Sequence, residues 1–206
     1  MRRREFITLV SSSAMWPLAA RAQQVERMRR VGVLMAIPND AEAHARTVAL
    51  EEGLQVLGWT VGRNIQINYS FPGGDAERMR TTAKELTSSA PDLIIAVTNP
   101  ALKAARDATL SQPILFLQVS DPVGGGFVQS LDRPGGNATG FTNFEPEVGG
   151  KWLQTLKEIA PGVERVGFVF NPATSAHVGF LRAAETASVS LATKINPLGI
   201  YSAYTR

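Results

Sequence analysis

Four short polar segments hold most of the side chains that could act together on another molecule: Pro38-Asn39, Thr98-Asn99-Pro100, Ser120-Asp121-Pro122 and Phe141-Thr142-Asn143. A fifth, Asn171-Pro172, repeats the Asn-Pro step further along the chain. Each comes after an apolar run and offers amide, hydroxyl or carboxylate groups, which hold small polar molecules by hydrogen bonds. The machinery of several enzyme and metal classes is missing. There is no Cys, which removes thiolate zinc sites, cysteine nucleophiles, disulfides and a lipidated cysteine. The two histidines, His44 and His177, lie far apart, against a His-rich metal motif, and neither a G-x-S-x-G elbow nor an H-E-x-x-H pair occurs.

Several roles stay open for these residues. Asn99 can cap its own helix or turn outward to a ligand, and both Asn-Pro steps place free N–H groups at helix N-termini, where partial positive charge favours a carboxylate. Asp121 can accept from a ligand ammonium or cap the next helix. Phe141 and Phe144 can stack on an aromatic ligand or pack in the core. His44, beside Glu42 and Arg46, reads as part of a solvated helix face, and His177, after the second Asn-Pro step, either lies at the surface or reaches the cleft. Gly124-Gly125-Gly126 fits neither nucleotide-binding glycine spacing and reads as a flexible loop.

The elements that must position these groups are strands and helices in alternation. Residues 30–37 (RVGVLMAI) form a continuous apolar run, as in a strand buried on both faces. A helix comes next, with Ala43, Thr47, Leu50, Leu54 and Leu57 on one stripe and Gly58 ending it. Residues 64–71 alternate Ile65, Ile67, Tyr69 and Phe71 on one face, and Asp75 is placed to cap a helix running to about residue 89. Further strands are expected at 93–97, 114–119 and 137–143, a helix opening at Asn99-Pro100, and a short helix from 122 to 131. Strands roughly 30 residues apart with helices between them describe an open parallel α/β sheet, whose ligands sit at the carboxyl ends of the strands. The polar segments named above are those ends.

Residues 165–170 (RVGFVF) repeat the form of residues 30–35 and end in Asn171-Pro172. They come after a linker-like stretch at 144–150 and a helix at 151–159 with Trp152, Leu156 and Ile159 on one stripe. This reads as the opening strand of a second α/β lobe, continued by a helix at 175–188 and a strand near 194–200. The 206 residues suit one domain plus a fragment, and 44% hydrophobic with 19% charged residues excludes a disordered or coiled-coil chain. The net charge of +3 resides in the N-terminal segment: without residues 1–22, basic and acidic residues number seventeen each. No charge pattern then favours nucleic acid or an anionic membrane surface. That segment has a basic start, a twin-arginine-like Arg3-Arg4-Glu5-Phe6-Ile7, about 15 mostly apolar residues and an Ala20-Arg21-Ala22 cleavage pattern, too short to span a bilayer comfortably. The expectation is an export signal at 1–22 and a mature, exported, soluble chain from Gln23.

Several pieces together resemble the ABC transporter substrate-binding protein family that includes tryptophan-binding lipoproteins. They are RRREFITL with WPLAARAQQ, LGWTVGRNIQINY, Asp121-Pro122-Val123, SLDRPGGNATGF and the FVFNP strand end. The resemblance covers nearly all of residues 1 to about 190, with LDRPGGNATG its most specific piece. One departure is Gly124-Gly125-Gly126, where family members commonly have a Lys-Leu-Gly-like step. The resemblance implies a type I periplasmic-binding-protein fold, with two α/β lobes closing on a small ligand for delivery to a membrane permease.

The expected organisation is an N-terminal lobe at 23–143, a hinge and connecting helix at 144–164, and an incomplete second α/β lobe at 165–206. The expected function is the periplasmic solute-binding component of an ABC importer, monomeric and without metal, cofactor or catalysis. Its ligand is a small carboxylate or zwitterion. Because the family's second lobe continues further, the chain is expected to be C-terminally truncated and to bind weakly or not at all. The alternative is an exported α/β enzyme working at the same loops, which Asp121 within hydrogen-bond reach of His177 would favour. A sensing module would need a transmembrane helix, and a repressor an N-terminal helix-turn-helix.

Overall fold

The computed structural model describes residues 27–200; the export segment at 1–22 lies outside them. Strand β1, Arg29–Met35, buries Val31 to Met35 without interruption, as its apolar run requires. Helix α1, Ala41–Val56, starts at Asp40, whose Oδ1 accepts from the Ala43 N–H at 3.0 Å. It ends at Gly58, at φ +87°, which lets Gly58 and Trp59 donate back to Gln55 O and Leu54 O at 3.0 and 2.9 Å. Leu50 and Leu54 pack on the sheet, whereas Leu57 lies past the helix end and is exposed, so the buried stripe is shorter than expected.

Strand β2 is Ile65–Ser70 and helix α2 is Ala76–Ser88, capped by Asp75 Oδ1 accepting from the Arg78 N–H at 2.8 Å. Strand β3, Leu93–Val97, helix α3, Asn99–Ala108, strand β4, Ile114–Val119, and strand β5, Ala138–Thr142, come next. The sheet order is β2-β1-β3-β4-β5 and every pair is parallel. One face packs Leu34, Ile94 and Phe116 with Met79 and Leu86 of α2 and Leu102 of α3. The other packs Val33, Ile95 and Val97 with Leu50 and Leu54 of α1. The chain turns one way from β1 to β2 and the other way from β3 onward, so the loops after β1 and β3 flank a crevice at their carboxyl ends.

Residues 122–131 are turns and bends, not the expected short helix. Three successive glycines supply no helix-favouring side chain, and Gly126 at φ +69° leaves helical geometry altogether.

Helix α4, Val148–Ile159, begins inside the stretch expected to be a linker. Its buried side is Gly149, Gly150 and Leu153, whereas Trp152 and Ile159 are exposed, so the expected Trp152–Leu156–Ile159 stripe is rotated. Strand β6, Arg165–Phe170, helix α5, Ser175–Ser190, and strand β7, Lys194–Gly199, complete the described chain, with β6 and β7 parallel. β6 alternates half-buried and exposed residues because helices cover only one of its faces. α4 and α5 meet so closely that a Cβ on Gly149 would overlap the Phe180 carbonyl oxygen. Gly149→Ala should therefore destabilise the fold by about 1–3 kcal/mol through overpacking. Urea unfolding checks this, and an unchanged midpoint would show that the helices do not approach so closely.

Candidate functional site

Backbone strain singles out one place in the fold. Five non-glycine residues among those described have positive φ: Ala90, Thr98, Gln118, Asp121 and Ala192. Ala90 and Ala192 lie just past the ends of α2 and α5, where a left-handed residue ordinarily closes a helix. The other three sit at the carboxyl ends of β3 and β4. Such outliers persist only where surrounding structure enforces them, and they cluster at binding sites. Thr98, at φ +82°, is the residue before α3, and its hydroxyl makes no capping bond. Among the described residues its Oγ1 is buried without a partner.

Hydrogen bonds tie six of these residues into two groups, Asn99–Ser120–Asn143 and Thr142–Phe144–Asp121. Asn99 is the first residue of α3, so Thr98 rather than Asn99 occupies the capping position. Both polar ends of Asn99 are engaged by Ser120: Nδ2 donates to Ser120 O at 2.7 Å and Oδ1 accepts from the Ser120 N–H at 3.0 Å. Asn99 thus ties the β3 end to the β4 end. The Ser120 hydroxyl donates to Asn143 Oδ1 at 2.8 Å, and the Asn143 N–H donates to Val119 O at 3.3 Å. The Thr142 hydroxyl donates to Phe144 O at 3.3 Å, and the Asp121 N–H reaches the same oxygen at 3.3 Å. Pro38 and Asn39 lie exposed in the loop after β1, and Pro100 is exposed in the first turn of α3. Phe141 is 68% exposed, so it is no part of the core. Phe144 is partly exposed and meets Phe180 edge-on, ring centres 6.5 Å apart.

Asp121, at φ +47°, faces the second strand–helix unit. Its Oδ1 accepts from the Gly124 N–H at 2.9 Å, closing a turn rather than a helix. A Cβ on Gly124 would overlap Asp121 Oδ2, and one on Gly179 of α5 would lie 3.2 Å from that oxygen. Two glycines distant in sequence therefore make room for this carboxylate. Beside it, Phe180 packs with Trp152 and His177 at ring-centre distances of 5.2 and 6.4 Å.

Asn171 and Pro172 sit on the other sheet. Asn171 Oδ1 accepts from the Ala173 N–H at 2.9 Å, and the Asn171 N–H donates to His177 Nδ1 at 3.3 Å. His177 is thus half-buried and not a surface group. Burial pushes its pKa below the ordinary 6.5. The unfolded chain then takes up this proton first, so the neutral ring's contribution to stability is present above pH 6.5 and lost as pH falls through the lowered value. Among the described residues Asp121 and His177 share no hydrogen bond, His177 Nδ1 being met by Asn171 instead. The arrangement that would have favoured an enzyme is therefore not observed. His44 is exposed on α1, as its sequence neighbours indicate.

Three residues of this region are not marked by any sequence motif: Gln118, Arg46 and Gly179. Arg46 donates to Gln118 Oε1 across 72 residues of sequence, a pairing that no local pattern announces. Among the described residues no group of three or more acidic or histidine side chains is placed to hold a metal ion, and no helix is long and apolar enough to cross a membrane. The site offers hydrogen-bond donors and acceptors, one carboxylate and one guanidinium, which suit binding of a small polar molecule.

Several known proteins are similar to this chain. A "Tyrosine-binding protein" of Clostridioides difficile is 28% identical over 146 residues, spanning 71% of this chain and 41% of the relative. A solved conserved domain protein from Vibrio cholerae is 26% identical with a TM-score of 0.76, over 84% of this chain and 58% of that one. The ABC domain from Streptococcus pneumoniae solved with L-Trp also reaches a TM-score of 0.76, at 20% identity, over 84% of this chain and 57% of that one. The chain therefore spans from two fifths to three fifths of the length of these relatives. Its architecture is that of type I periplasmic binding proteins: a parallel α/β sheet and a second α/β unit after it. The ABC transporter substrate binding protein model matches residues 30–200, and the chain belongs to that family.

Proposed function

We propose that the chain is the solute-binding component of an ABC importer and holds a small carboxylate or amino-acid-like ligand between two lobes. The observation that carries this reading is the cluster of strained residues at the β3 and β4 ends, with the unpartnered Thr98 hydroxyl among them. A buried hydroxyl without a partner costs about 1–3 kcal/mol in the free protein, and a ligand acceptor there removes that cost. Thr98, Asp121 and Thr142 present groups to the ligand, while Asn99, Ser120 and Asn143 hold the strand ends in register. Pro38, Asn39, Pro100, Phe141, Asn171 and Pro172 border the cleft. The Clostridioides difficile relative's name, a tyrosine-binding protein, supports an amino-acid-like ligand.

In this reading residues 23–143 belong to the first lobe, 144–164 to the connection and 165–206 to the second lobe. The protein acts as a monomer, performs no catalysis, uses no cofactor and passes its ligand to a permease in the inner membrane. Residues 1–22 direct export and are removed. Intact-mass measurement of periplasmic material should show Gln23 at the N-terminus, and a mature cytoplasmic chain retaining Met1 would contradict it.

Thr98→Val tests the binding reading. Valine has the same shape without the hydroxyl, so the free protein should gain about 1 kcal/mol of stability while losing ligand affinity. A stability gain with unchanged affinity would remove Thr98 from the site.

A further inference from the structure

In a regular strand Ile114, Phe116 and Gln118 would share one face, and Leu115, Leu117 and Val119 the other. β4 breaks that alternation. Val119 packs in the same core cluster as Ile114 and Phe116, the β4–β5 register shifts between Phe116 and Val119, and Gln118 adopts φ +54°. This is a bulge, a device that re-aims a side chain. Its effect is to release Gln118 from the face covered by α2 and α3 and direct it to α1. There Gln118 Oε1 accepts from Arg46 Nη1, while Arg46 Nη2 donates to Glu42 Oε1. An i,i+4 ion pair on a helix surface needs no strained partner from another strand. The bulge is explained if the guanidinium must be held in one orientation.

We propose that Arg46 selects ligands that carry a carboxylate, with Gln118 as its positioning residue. This rests on the functional reading above and deepens it by naming the group recognised. A guanidinium has five N–H donors in a fixed fork, and among the described residues Gln118 and Glu42 occupy only two. The remaining edge can meet a carboxylate with two parallel hydrogen bonds. The Arg46 side chain is 32% exposed, so it is anchored yet reachable. Asp121 comes three residues after Gln118 in the sequence. The end of β4 therefore carries an acid and, through Gln118, holds a base, the two charges that an ammonium and a carboxylate on one small molecule would need.

The test compares L-phenylalanine with L-phenylalaninamide, which keeps the ammonium and ring but lacks the carboxylate. Nuclear magnetic resonance titration of the full chain measures both affinities in the wild type, Arg46→Gln and Gln118→Ala. The acid should bind the wild type about tenfold more tightly than the amide, the ratio should fall to about one in Arg46→Gln, and Gln118→Ala should lie between. Partial unfolding would weaken both ligands together and leave the ratio alone, so the ratio reads the guanidinium itself. An equal affinity for acid and amide in the wild type, or a preserved preference in Arg46→Gln, overturns the inference while the binding function stands. Failure of both molecules to bind the wild type overturns the functional reading and this inference with it.

Discussion

The 206-residue chain should bind free amino acids at millimolar rather than micromolar concentration. A ligand held between two lobes takes contacts from the strand ends of both. Among the described residues the first sheet has five strands and the second has two. Within them β6 and β7 leave one face uncovered, with Val169 and Leu198 exposed on it, and so small a sheet is a poor rigid wall. Contacts from the first lobe alone supply about half of the roughly 8 kcal/mol of micromolar binding, and roughly 4 kcal/mol is millimolar. Calorimetry and thermal unfolding against a panel of amino acids and small carboxylates check this. Micromolar affinity with a saturable rise of several degrees in melting temperature would show that the described second unit already makes a sufficient wall.

Asp121→Ala should weaken that binding by about 1–3 kcal/mol, or about 5- to 150-fold, the range for removing one partner of a charged hydrogen bond. The carboxylate has one oxygen committed to the Gly124 N–H, and its other oxygen lies in the space that Gly124 and Gly179 leave open. Asp121→Asn separates the two roles, because an amide oxygen still accepts from Gly124 and closes the turn. Both variants should lose affinity if Asp121 pairs with a ligand ammonium. Full affinity in the asparagine variant, with loss only in alanine, would reduce Asp121 to a turn-closing residue.

The strands were legible because each is a continuous or alternating apolar run bounded by turn residues, and Leu93–Val97, Ile114–Val119 and Arg165–Phe170 fall where that pattern places them. Asp75 was legible as a cap because capping is local chemistry. The residues whose roles depend on distant partners were not. Asn99-Pro100 has the pattern of a cap and then a proline, yet Asn99 spends its side chain on Ser120 across the sheet. The bulge at Gln118 hides in an apolar run that reads equally well as regular strand. The buried side of α4 is set by Gly149 and Gly150 meeting α5, a contact made by absent side chains that a stripe of large apolar residues cannot reveal. Strand ends could be named as the candidate site from topology alone, but the surroundings of their groups depend on Ser120, Gly179 and Arg46, each brought in by tertiary packing.

On the proposed reading, the carboxyl ends of β3, β4 and β5 bind a small carboxylate or zwitterion. The most direct test of that reading is a titration of the isotope-labelled chain with L-phenylalanine, tracking every backbone amide. Saturable shifts should appear at Thr98, Asp121 and Thr142 and spread to their chain neighbours Asn99, Ser120 and Asn143, which hydrogen bonds join to one another. Absence of any shift up to the solubility limit, or shifts confined to the open groove between Glu164, Glu185 and Lys194 at the far end of β6 and β7, would contradict it.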